Sequence, residues 1–115
     1  MAYIIPDAHT FVIRGHDTTA AQNIVTIDAD EAVTLAMDFE HVVNYGAVLS
    51  SVTTVVTVDA DGDDAGAATN KAVDTNTYRA TWNPPSLSEG GYIVTVTAAT
   101  TDSETIIGTG ILQVT

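Results

Sequence analysis

"SLSEGGYIVTVTAAT", residues 86 to 100, carries a turn signal that runs straight into a strict alternation. Tyr92, Val94, Val96 and Ala98 fall on one parity, and Ile93, Thr95 and Thr97 on the other. A period of two is the pattern of a strand with two unlike faces. Gly90 and Gly91 can supply the positive φ that launches such a strand from a turn. Leu87, the turn "SEGG" and Tyr92 follow one another in that order. This is the order of a tyrosine corner, in which the chain crosses between two sheets. The hydroxyl bonds back to upstream backbone while the ring enters the core. A simple hairpin, with Tyr92 as an ordinary strand residue, is the other reading.

Working outward, other segments repeat the period. In "AVTLAMDF" (32–39), Val33, Leu35, Met37 and Phe39 share a face. In "LSSVTTVVTV" (49–58), Val52, Thr54, Val56 and Val58 are in register, and Val55 breaks it. In "NTYRATWN" (76–83), Tyr78, Ala80 and Trp82 alternate with Thr77, Arg79 and Thr81. Pro84 and Pro85 stop that strand, since proline cannot donate to a ladder. "NIVTID" (23–28) predicts a short strand and "IIGTGILQV" (106–114) the last one. Gly108 and Gly110, two apart in it, predict a bulge or a close backbone approach. "DADGDDAGAATN" (59–70) reads as a loop. No segment holds helical periodicity over a helix's length, and threonine and valine dominate. About seven short strands at regular spacing predict an all-β fold, an immunoglobulin-like antiparallel β-sandwich over residues 24–115.

Residues 1–23 are expected to form an extended N-terminal arm. Its apolar stretches "YII" and "FVI" have little around them to bury them, and Pro6, Asp7, Asp17, Thr18 and Thr19 oppose a helix. An extended segment of this kind can add a strand to an exposed sheet edge. Phe11 and Ile13 are therefore candidate protein-interface residues, contacting a neighbouring chain or an edge of the sandwich, with Arg14 as the arm's charge-assisted partner for a carboxylate. The alternative makes the same residues the first strand of the domain's own sheet.

The chain has 115 residues, with three Lys plus Arg, 15 Asp plus Glu and a formal net charge of −12. Such a surface repels phosphates and anionic headgroups, so neither nucleic acid nor membrane is an expected partner. It has no cysteine, which excludes disulfides, thiolate metal sites and a cysteine nucleophile. "MAYIIPDAHT" has no basic n-region and leads into no long apolar run, so neither a secretion signal nor a membrane span is expected.

Little in the sequence points to catalysis. Asp59, Asp61 and Asp63 alternate with Asp64 adjacent, a pattern that suits a hard cation. The EF-hand spacing fails: Asp64 stands where glycine is needed and Asn70 where glutamate is needed. A solvated acidic loop is expected, with no metal and no cofactor. His9, His16 and His41 lie far apart, no serine sits in a G-x-S-x-G elbow, and Glu31, Glu40, Glu89 and Glu104 fall in turns. No catalytic residue is assigned and no enzyme activity is expected. Trp82 and Tyr78 suit a core better than a ligand-stacking platform.

From about Asp28 to Thr115 the chain resembles the small immunoglobulin-like virion proteins of tailed bacteriophages. These include capsid decoration proteins and the fibre–tail adaptor type. The resembling stretches are "DEAVTLAMDFEHV", "GAVLSSVTTVVTV" and "SEGGYIVTVTAATTDSETIIGTGILQV". The longer acidic loop at 59–70 and the first 23 residues depart from the family's pattern. The resemblance implies a non-enzymatic structural protein on the outer surface of a virion, made in the host cytoplasm. Its implied partners are the major capsid protein or tail and fibre proteins, with a homo-oligomer within the particle. Capsid decoration is the first expectation and a tail or fibre–tail adaptor the second. A virion-displayed carbohydrate-binding module using Trp82 or Tyr45 is the third.

Overall fold

The structure, a computed structural model, describes residues 9–13, 24–74 and 78–115. They form nine strands: β1 (Thr10–Val12), β2 (Ile24–Ile27), β3 (Leu35–Asp38), β4 (Leu49–Val58), β5 (Asp64–Ala67), β6 (Thr69–Val73), β7 (Arg79–Asn83), β8 (Gly90–Thr100) and β9 (Thr105–Val114). A four-stranded sheet has the order β1-β3-β7-β6, and a five-stranded sheet the order β2-β9-β8-β4-β5. The two face each other across one core, so the fold is the expected immunoglobulin-like β-sandwich.

The sheets are not wholly antiparallel. β1 pairs parallel with β3, and β2 pairs parallel with β9. Residues 10–13 correct the expected arm. Thr10, Phe11 and Val12 pair with Ala36, Met37 and Asp38, and the Ile13 amide donates to the Asp38 carbonyl at 3.0 Å. They form the first strand of the domain's own sheet, as the alternative reading had it. Apart from His9, the rest of the expected arm lies outside the described residues.

Two further strands, β5 and β6, lie largely within the stretch read as a loop, and only Ala68 separates them. They are edge strands of opposite sheets, with mostly exposed or half-buried side chains. Edge strands need little apolar alternation, so the alanine- and glycine-rich sequence gave no period-two signal. Asn70 and Gly66 hold positive φ at 52° and 127°.

The alternation of β8 and β9 is as the sequence predicts, with Tyr92, Val94, Val96, Ala98, Leu112 and Val114 buried. β4 differs. Val55 and Thr57 are buried, whereas Val56 is exposed. Its pairing with β8 slips between Leu49 and Ser51 and again between Val52 and Thr54. Each slip adds one residue and moves the following side chains to the other face. That is why Leu49, Val52, Val55 and Thr57 all face inward at unequal spacing.

The opening stretch behaves as a tyrosine corner. β7 lies in one sheet and β8 in the other, so the chain crosses at residues 84–89. The Tyr92 hydroxyl donates to the Ser88 carbonyl at 2.7 Å, and its ring is buried. At the core's centre Phe11 stacks on Trp82, with ring centroids 6.1 Å apart and an 11° interplanar angle. Gly108 and Gly110 mark neither a bulge, because β8–β9 pairing runs unbroken, nor a close backbone approach: core side chains of the facing sheet fill the space they leave. A Cβ at Gly110 would stand 2.2 Å from the Phe11 ring, and one at Gly108 would stand 2.6 Å from Met37 Sδ.

Candidate functional site

Of the candidate interface residues, Phe11 and Ile13 are buried among this chain's own core side chains. Their side chains are taken up by the fold and are not offered to a partner, which corrects their reading as a docking surface. Arg14 lies outside the described residues. Trp82 is fully buried and Tyr78 half-buried, so Trp82 cannot stack on a sugar, and Tyr45 stands fully exposed on a turn.

The acidic loop folds as a tight turn. Asp59 Oδ1 accepts the amides of Asp61 at 2.9 Å and Asp63 at 3.0 Å. Carboxylate oxygens of Asp59, Asp61 and Asp63 converge within 4.8 Å. The three could ligate a hard cation, but one oxygen of Asp59 is already engaged by the backbone. Asp64, beyond the turn, opens β5, and its Oδ1 accepts the Gly66 amide.

The two ends of the sandwich hold shallow clefts. One, about 240 Å³, is lined by Ile27, Asp28, Glu31, Val33, Asn83 and Leu87 among others. Glu31 Oε1 accepts the Asp28 amide, His9 Nε2 stands 4.0 Å from Glu31 Oε2, and the Thr34 hydroxyl donates to Asn83 Oδ1. The other, about 630 Å³, is lined by Ile13, His41, Val42, Glu104, Ile106 and Ile107 among others. Beside it, the Asn44 amide donates to Asp102 Oδ2 at 2.9 Å and Glu104 Oε1 at 2.8 Å, tying the β3–β4 connection to the β8–β9 turn. The Thr100 hydroxyl, helped by that amide, holds the Asp102 carboxyl below its ordinary range against a smaller desolvation effect. Among the described residues these groups spend their hydrogen bonds on the fold. Their geometry is that of closed turns.

The largest feature that sequence reasoning missed is the outer face of the five-stranded sheet. One cross-strand row joins Ile24, Ile111, Ile93 and Val58, ending at Asp64 on the β5 edge. The next joins Thr109, Thr95, Val56 and Ala67, and a third joins Ile107, Thr97 and Thr54. Ile24, Val56 and Ile93 are each 46% exposed and Ile107 64%. Of the side chains directed outward from this sheet, Asp64 alone carries a formal charge. The signal was present in the second parity of "YIVTVTAAT" and "IIGTGILQV", where isoleucine and threonine stand in place of charged residues.

No family model matches the chain, and no curated protein matches it. Among solved structures it is similar to the crystal structure of CopC from Methylosinus trichosporium OB3b, at 17% identity and a TM-score of 0.54. The likeness covers 77% of this chain and 80% of that one, and at this identity it speaks to the fold alone.

Proposed function

We propose that the chain is a non-enzymatic structural protein of a tailed-bacteriophage particle, a capsid decoration protein that docks on the major capsid protein. The supporting observation is that the resembling stretches coincide with whole elements of one sandwich. "DEAVTLAMDFEHV" contains β3, "GAVLSSVTTVVTV" contains β4, and the longest stretch contains β8 and β9 with the tyrosine corner. The net charge of −12 suits display in many copies, because like-charged bodies stay soluble at high local density.

Quantifying the chain in purified particles tests the proposal. A decoration protein is present in hundreds of copies. A copy number of roughly six or twelve, set by the cyclic symmetry of a tail, moves it to the tail or fibre–tail adaptor role. Absence from particles overturns the reading.

A further inference from the structure

We infer that the outer face of the five-stranded sheet is a self-association surface, and that its occupant is the same face of a second copy of this chain. The inference does not depend on the particle reading, because it concerns the isolated chain.

Charge narrows the choice of occupant. The chain carries 15 acidic residues against three basic ones, yet among the described residues only Asp64, at the edge, brings a charge to this face. A basic partner would gain most where the carboxylates are, and an anionic partner is repelled everywhere. The face therefore selects a neutral, apolar surface, and the same face of a second copy is such a surface. Two-fold pairing is isologous, so Ile93 of one copy meets the Ile- and Val-bearing rows of the other. Sheets stack at roughly 10 Å with their strands about 30° apart, which lets Ile24, Ile93, Ile107 and Val56 interdigitate between threonines.

The area of the face is also that of a small dimer interface. Strands of ten or eleven residues (β4, β8, β9) flanked by two of four residues (β2, β5) make the face. At ~4.8 Å between strands and ~3.3 Å per residue, its plan area is roughly 600 Å² per copy. Two copies thus bury about 1,200 Å², which is the lower edge of stable, specific interfaces. A reversible dimer, dissociating on dilution, is the expected outcome. A flat row of exposed β-branched residues left uncovered is otherwise an aggregation hazard.

Sedimentation equilibrium of the purified full chain, across micromolar concentrations and at low and high salt, tests this. The expected result is a monomer–dimer equilibrium that tightens as salt rises. The interface holds no ion pairs to weaken, while the two acidic bodies repel less when screened. I93E and, separately, V56E, both at exposed positions, should weaken dimerisation about tenfold or more with circular dichroism unchanged. K71E, on β6 of the other sheet, should leave it unchanged. A chain that stays monomeric at all concentrations and salts overturns the inference. So does a dimer that loosens with salt, or one that tolerates both face substitutions. The wild-type salt response decides the matter if either variant fails to fold.

Discussion

At Gly110 the absence of a side chain is what lets the two sheets close on Phe11. A methyl there would lie 2.2 Å from the Phe11 ring, and that ring cannot retreat because it is stacked on the fully buried Trp82. G110A should therefore destabilise the fold by about 1–3 kcal/mol, the usual cost of overpacking. Thermal unfolding measures it, and an unchanged midpoint would show that the ring is not where the structure has it. Asp102 gives a pH-dependent counterpart. Its carboxyl titrates below its ordinary value of 3.8 because the charged form accepts from Thr100 and Asn44. The folded state thus holds fewer protons than the unfolded state across that interval. The stabilisation is full above the unfolded value and is lost as pH falls through the lower folded value. D102N should melt below the wild type at neutral pH, with the gap closing on acidification. A gap that widens in acid would contradict the assignment. Gly110 was half-legible: two glycines two apart in a strand announced that something unusual meets them, but no local pattern could say that it is the side chain of Phe11, nearly a hundred positions upstream.

At the scale of elements, β1 is where sequence and structure part most clearly. "FVI" is short, lies among polar residues, and has no alternation long enough to separate a docking arm from an edge strand. The distinction is tertiary, because it depends on the space that Gly110 leaves open. A chain starting at Ile24 loses the buried Phe11 and Ile13 along with the β1–β3 ladder. Removing a buried phenylalanine side chain alone costs about 3–5 kcal/mol. The truncated chain is expected to unfold at much lower denaturant or not to fold cooperatively. Unchanged stability would return residues 10–13 to the role of an arm. β4 teaches a related lesson. Its two slips in register are invisible in "LSSVTTVVTV", where valine and threonine suit either face, so Val52 and Val56 read as one register although Val52 faces inward and Val56 outward. β8 carries no such slip against β9, and its alternation could be followed residue by residue. The acidic turn between β4 and β5 was legible as a loop, in which Asp59 Oδ1 accepts the Asp61 and Asp63 amides. Adding Ca²⁺ or a chelator should leave the melting temperature unchanged. A site saturated about 100-fold over its dissociation constant would instead add roughly 2.7 kcal/mol, a shift of several degrees.

For the molecule as a whole, charge and topology combine into one division of labour. Carboxylates gather in the turns and ends, at Asp59–Asp63 and at Asp102–Glu104, while the outer face of β2, β9, β8 and β4 is neutral and half apolar. Net charge and the sandwich could be read from composition and period. The neutral face could not, because it takes the strand order to set Ile24, Ile111, Ile93 and Val58 in one row. Acidic bodies that repel at long range and carry a neutral contact surface suit a protein displayed in quantity on a larger assembly. The measurement that bears most directly on that account is the copy number of the chain in purified particles, by mass spectrometry against an isotope-labelled standard. The account predicts hundreds of copies that remain with the heads after tails are detached. Particles that lack the chain while the infected cell contains it would contradict the account.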